Sequence, residues 1–257
     1  MKTHIFISLI LATMIISSCG SRKDLVYFQD EPLSGGYIDA TPEQLIYKPD
    51  DILTINVSAA DPITAKPFNL SIVSDNDDLV RTSGSTRMQT YLIDFNGNIE
   101  FPVLGTLHIA GMTRIELTNM LKEQISAYAK DPIVNVRLVN FTVTVIGEVS
   151  DPGTFTIQDE RITLLEAIGL ANDLTIYGQR KNVMLIREVD GKKRFAKLDL
   201  TSVNSVSSPL YYLQQNDVIV VEPNSSRIRS STYNQNNSVL ISAIGTLTTI
   251  IAVFLIK

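Results

Sequence analysis

The sequence has one cysteine, two histidines and no tryptophan in 257 residues, and only 19% of its side chains are charged. A single cysteine excludes an intrachain disulfide and any multi-cysteine zinc site. With His4 at the extreme N-terminus, a hydrolase built on a nucleophile–histidine pair would depend on His108 alone. That scarcity argues against an enzyme, and no catalytic residue, metal site or cofactor is expected. Lysine and arginine number 22 against 27 aspartates and glutamates, giving a net charge of −5, and no basic run occurs. The electrostatic footprint for a polyphosphate is missing, so nucleic acid is not an expected partner.

What the chain does have is an apolar segment at each end. Lys2 and His4 precede an apolar run over 5–16, too short to span a bilayer and shaped like a secretory signal. The run closes on Ile16-Ser17-Ser18-Cys19-Gly20, where small residues precede the lone cysteine. This resembles a bacterial lipobox: residues 1–18 would be removed and Cys19 would become the acylated, palmitate-bearing N-terminus. An ordinary signal peptide with a chance cysteine is the alternative.

Residues 239–256 contain no charge and are followed by Lys257. At 1.5 Å per residue an 18-residue helix covers roughly 27 Å, close to a hydrocarbon core of ~30 Å. Within 238–257, Ser238, Ser242, Gly245, Thr246, Thr249 and Ala252 recur at steps of three and four, so they share one helical face. Leu240, Ile244, Leu247, Ile251 and Phe254 share the opposite one. A small, hydroxyl-bearing stripe on a membrane helix fits either a packing seam between helices or a wall facing water. Ser242, Gly245, Thr246 and Thr249 are the candidate pore-lining residues on the second reading. The stretch 224–237, rich in Ser and Asn, reads as a linker into this transmembrane helix.

Between the ends the periodicity is mostly that of strands. A Pro49-Asp50-Asp51 turn leads into alternation over 52–57. The segments 91–95 and 98–101 flank Asn96-Gly97, which predicts a hairpin closed by a type I′ turn. Asp190-Gly191 predicts a second hairpin. Thr113-Arg114-Ile115-Glu116 is a capping box opening a helix over 113–129, with Leu117, Leu121, Ile125 and Tyr128 on its apolar face. Thr163-Leu164-Leu165-Glu166 opens a shorter helix. Strands over 133–139, 142–149, 182–188, 194–198 and 217–221 bracket the helices, so the fold class is α+β. We place 19–44 as an N-terminal segment, a first domain at 45–140 and a second at 141–223.

The run Gly97-Asn98-Ile99-Glu100-Phe101-Pro102-Val103-Leu104-Gly105, then Gly111-Met112-Thr113, then Tyr128 through Asp131-Pro132-Ile133-Val134 resembles the polysaccharide biosynthesis/export domain. Downstream, Val145-Ile146-Gly147-Glu148-Val149 with Pro152-Gly153, and Asp217-Val218-Ile219-Val220-Val221, resemble the start and end of a β-grasp soluble ligand-binding (SLBB) domain. The resemblance implies a Wza-like outer-membrane polysaccharide export lipoprotein. Such proteins form homo-oligomeric rings, often octamers, whose C-terminal helices make an α-helical barrel. Their partners are the polysaccharide chain, outer-membrane lipid and an inner-membrane co-polymerase that commonly carries a tyrosine-kinase domain. Periplasmic domains, lipid anchoring and porin-like passage through the outer membrane follow from the same resemblance. A periplasmic lipoprotein that binds glycan or a partner protein, with the C-terminal helix as a simple anchor, is the alternative.

Two carboxylate clusters stand out as possible sites. Asp75-Asn76-Asp77-Asp78 has the oxygen density of a calcium loop but lacks the glycine turn and closing acid. Asp94 and Glu100 could suggest a glycosidase pair, yet their near-mirror placement about a tight turn fits exposed strand residues better.

Overall fold

The alternation after the Pro49-Asp50-Asp51 turn forms strand β1 (Ile52–Ser58), which buries Leu53, Ile55 and Val57 in a computed structural model of the chain. The structure describes residues 22–30, 37–38, 44–73, 86–189, 191–231 and, toward the C-terminus, 242, 243, 245–247, 249 and 250. After β1 come a short helix α1 (Pro62–Ala65) and strands β2 (Ser71–Val73), β3 (Thr86–Met88), β4 (Thr90–Leu92), β5 (Asn98–Phe101) and β6 (Gly105–His108). Helix α2 (Arg114–Ile125) and strand β7 (Ile133–Leu138) complete this unit. β1 lies between β4 and β7 in an antiparallel sheet, while β2–β3 and β5–β6 are separate two-stranded pairs.

Both members of the capping box at Thr113 are made: its hydroxyl takes the Glu116 N–H, and the Glu116 carboxylate takes the Thr113 N–H. The helix drives Leu117, Leu121 and Ile125 out of water against the sheet, worth roughly 1.5–3 kcal/mol each. It ends at Ile125 rather than running on to 129. Tyr128 consequently leaves the expected apolar face and sits exposed, its ring edge-on to Phe68 with centroids 6.0 Å apart.

The first predicted hairpin is corrected. β4 pairs with β1 and β5 with β6, so the segments around Asn96-Gly97 form no ladder with each other. The Asp94 carboxylate accepts from the Asn96 and Asn98 N–H groups at 2.9 and 2.8 Å, building a local turn in which Gly97 has positive φ and Asn96 does not. A type I′ turn needs both residues there. An acceptor two residues upstream therefore captured the turn for a different geometry. The second hairpin forms as expected, with Val189 opposite Lys192.

A second unit follows with β8 (Thr142–Gly147), β9 (Gly153–Thr156), helix α3 (Leu164–Leu170), β10 (Gly178–Val189), β11 (Lys192–Leu198), β12 (Val218–Pro223) and helix α4 (Ser225–Ser231). Its strands run in the order β11-β10-β12-β8-β9, antiparallel except where β12 lies parallel to β8. One face of this sheet supplies Val143, Val145, Val183, Leu185, Ile219 and Val221, which pack with Leu164, Ala167 and Ile168 of α3. The chain is thus a mixed α+β protein with two separate apolar cores. Among the described residues no helix is long and apolar enough to cross a membrane.

Residues 22–30 lie along the second unit, a contact the sequence pattern did not announce. Phe28 and Gln29 donate their N–H groups to the carbonyls of Leu200 and Thr201, at 3.2 and 2.7 Å. Asp30 accepts from the Ser202 hydroxyl and the Val203 N–H, and Lys181 pairs with Asp24. The Tyr27 ring covers the buried Arg180 guanidinium at 5.2 Å while its hydroxyl donates to Asp173. Burial first, then the Asp173 carboxylate, raises the Tyr27 phenol above its ordinary range.

Candidate functional site

The two units meet at Asn140. Its side-chain oxygen accepts from the Ile52 N–H at 2.8 Å and its amide donates to the Asp50 carbonyl at 2.9 Å. Its own carbonyl accepts from Gln215 at 2.6 Å, and Lys48 reaches Gln214 at 2.9 Å. One side chain therefore fixes the turn ahead of β1 while its backbone is held by the second unit. Beside this junction opens a cleft of about 410 Å³. Tyr47, Arg114 and Val136 wall it on one side; Phe141, Glu160 and Arg161 wall it on the other. Arg114 and Glu160 bridge it at 2.8 Å, but both are well exposed, so the pair adds at most about 1 kcal/mol.

Two groups at this junction are shifted by burial. The Tyr47 hydroxyl is pushed up to about 12, and the Asp51 carboxyl to about 6 even though Lys48, through its N–H and its charge, pulls the other way. The folded protein holds the Asp51 proton more tightly than the unfolded chain does. This group's contribution to stability is therefore fully present below the usual carboxyl value near 3.8 and is lost as pH rises through about 6. Asp51→Asn, neutral throughout, should gain roughly 2 kcal/mol more over wild type at pH 7.5 than at pH 4.5. Urea melts of both proteins at the two pH values check this. Equal differences at both would show that Asp51 ionises normally.

The residues singled out from the sequence fall into three groups. Cys19 and the 75–78 cluster lie outside the described residues. Asp94 and Glu100 are exposed and occupied locally, Asp94 by the turn amides and Glu100 by the Thr106 hydroxyl. His108 is exposed and lies 3.0 Å from Asn98. Among the described residues no group of His, Cys, Asp and Glu could hold a metal ion.

Ser242, Gly245, Thr246 and Thr249 form the third group, and all four are helical and exposed. The Thr246 hydroxyl donates back to the Ser242 and Ala243 carbonyls, at 3.0 and 2.9 Å, and the Thr249 hydroxyl to the Gly245 carbonyl at 2.6 Å. Each proton is thus satisfied within the helix. What Thr246 and Thr249 present outward is a methyl group and an oxygen lone pair.

Comparison with known proteins supplies what the geometry lacks. Residues 39–139 match the family model of the polysaccharide biosynthesis/export protein, and residues 142–221 match the SLBB domain. The chain carries a polysaccharide export domain followed by an SLBB domain. It is 27% identical over 177 residues to the EPS I polysaccharide export outer membrane protein EpsA of Ralstonia solanacearum, covering 67% of this chain and 46% of that protein. With the protein of the same name from Ralstonia nicotianae it shares 29% identity over 176 residues, 67% of this chain and 45% of the relative. The chain thus matches just under half the length of these curated relatives. The export domain holds β1 to β7, the SLBB domain holds β8 to β12, and Asn140 lies between the two matched stretches.

Proposed function

We propose that the chain is a subunit of an outer-membrane polysaccharide export channel, acting by passage rather than catalysis. The observation that carries this reading is the order of the two matched domains, export then SLBB, in a chain whose curated relatives are both named polysaccharide export outer membrane proteins. Residues 45–140 and 141–223 are its periplasmic working parts. Residues 1–18 are the signal, Cys19 is the lipidated anchor, and 238–257 form the membrane helix beyond the 224–237 linker, whose first part is the helix α4 tied to the second unit through Arg227 and Glu148. The subunits close into a homo-oligomeric ring, and the ring receives polysaccharide from an inner-membrane co-polymerase.

In this reading the face bearing Ser242, Gly245, Thr246 and Thr249 lines a water-filled lumen. Eight helices of ~10 Å diameter set side by side place their axes on a circle of radius about 13 Å, leaving a lumen roughly 16 Å across. A hydrated glycan strand fits that width. Passage favours a wall that binds weakly and interchangeably, because a tight site would stall the chain. Hydroxyls already bonded to their own helix offer only an acceptor to a passing sugar.

That same back-bonding favours a second reading, in which the stripe is a dry seam and the helix a simple anchor for a periplasmic glycan- or protein-binding lipoprotein. Labelling separates the two. Single cysteines at 242, 246 and 249, with Cys19 retained, should react with a water-soluble thiol reagent, and a bulky reagent should block surface polysaccharide display. Cysteines at 244, 247 and 251 should stay inert. Inertness of both sets would assign the stripe to packing.

A further inference from the structure

The SLBB sheet buries one face against α3, while on the other Phe195 and Ile146 are exposed and Met184, Ile186, Val218 and Val220 are half-buried. Ladder register sets Phe195, Ile186 and Val218 in one cross-strand row, continued by Thr144 and Thr154, and Met184, Val220 and Ile146 in the next, which begins at Lys197. None of these six apolar side chains belongs to the core beneath; Phe195 is 64% and Ile146 42% exposed. Six neighbouring apolar residues across four strands form a contiguous patch of the kind that marks an interaction surface. Its edge strand β11 carries Lys192, Lys193, Arg194 and Lys197 and no acid, in a chain whose net charge is −5. Lys197 and Lys193 share the face of Phe195, Lys193 paired with Glu188 of β10, while Lys192 and Arg194 lie along the edge on the alternate side.

The opposite side of the same domain has the opposite character. Helix α3 turns Leu164, Ala167 and Ile168 into the core and leaves Glu166, Gly169 and Leu170 exposed. Around it stand the exposed acids Asp151, Asp159, Glu160 and Asp173; Arg114 bridges Glu160, Asp173 accepts from the Tyr27 hydroxyl, and Arg161 is a further base beside them. One domain therefore shows an apolar face with a cationic edge on one side and an exposed leucine among carboxylates on the other.

We propose that the outer sheet face of one SLBB domain docks on the α3 side of the SLBB domain in a second copy of this chain. The occupant follows from charge complementarity: Asp151 and Asp159 on the α3 side meet Lys197 and the edge cations Lys192 and Arg194 of β11, and Leu170 meets the apolar rows. Because the two surfaces lie on opposite sides of the domain, the contact is heterologous and leaves both copies with a free surface for the next. Repetition then closes a ring or runs on as a filament. The inference rests on the ring reading above and names the surface that would build it.

The test uses the full chain extracted in detergent. Ile186→Asp with Val220→Asp places two acids on the outward face without touching the core. This variant should lose assembly by at least tenfold in concentration while keeping the circular dichroism of the wild type. Separately, cysteines at 186 or 220 are combined with one at 169 or 170, with Cys19 retained. After copper–phenanthroline oxidation at least one pair should give a ladder beyond the dimer, whereas each single cysteine should not pass the dimer. The ladder decides should the acidic variant misfold. Intact rings in the acidic variant, or wild-type rings with no ladder from any pair, would overturn this surface and leave the ring reading standing. A wild type that is monomeric throughout would overturn both.

Discussion

Asp217→Ala is expected to destabilise the SLBB domain by about 3–5 kcal/mol. Asp217 is fully buried, and Arg187 is 4% exposed. The guanidinium meets the carboxylate through two nitrogens, Nε at 3.0 Å and Nη2 at 2.7 Å, and Nη2 also donates to the Tyr212 carbonyl at 2.8 Å. The carboxylate in turn accepts the Gln214 N–H at 2.7 Å. The pair locks β10 to the loop that turns into β12. Removing the acid leaves a buried cation whose desolvation is no longer offset. Replacing both partners together, as Arg187→Met with Asp217→Leu, should recover most of the loss, since a buried pair is often no better than apolar residues of similar volume. Urea midpoints of the single and double variants check this. A double variant as unstable as Asp217→Ala would show that the pair's remaining hydrogen bonds, rather than the uncompensated charge, carry the effect.

Gly147→Ala should cost roughly 3–5 kcal/mol, combining left-handed backbone strain with overpacking. Gly147 ends β8 at φ +99°, directly beside β12. A Cβ there would lie 2.1 Å from the Val221 carbonyl oxygen and 2.9 Å from its carbon. That oxygen is also the acceptor for the Glu148 N–H at 3.0 Å. Relief requires β8 and β12 to separate at the one parallel pairing of the sheet. Hydrogen exchange read at the amides of 144–148 and 218–221 should accelerate by a hundredfold or more. Exchange within a few-fold of wild type would mean that the strands yield without breaking the ladder.

These two sites show where the sequence was readable and where it stopped. Gly147 stands within a motif visible in the chain, yet the reason for a glycine is the approach of Val221, 74 positions later. Asp217 opens the last strand motif, but nothing local joins it to Arg187, and a lone charge in a strand reads as a solvated one. Helix starts were legible because Thr113–Glu116 and Thr163–Glu166 complete their bonds within one turn. Buried strands were legible from alternation. The turn at Asn96-Gly97 departs from the expected hairpin because Asp94 supplies a competing acceptor. Attachment of residues 22–30 to the SLBB domain rests on scattered bonds without periodicity, so no pattern announced it. The outer sheet face is invisible in sequence for a related reason: residues 183–186 of β10 and 218–221 of β12 are continuous apolar runs, and only the register shows which half of each run points outward.

The central claim is that these subunits act as a closed assembly. The most direct measurement is the mass of the full-length protein extracted in mild detergent, by light scattering corrected for bound detergent. One species several times heavier than a single chain of 28.4 kDa, unchanged on tenfold dilution, is the predicted result. A single species at one-chain mass across the same range would contradict the account.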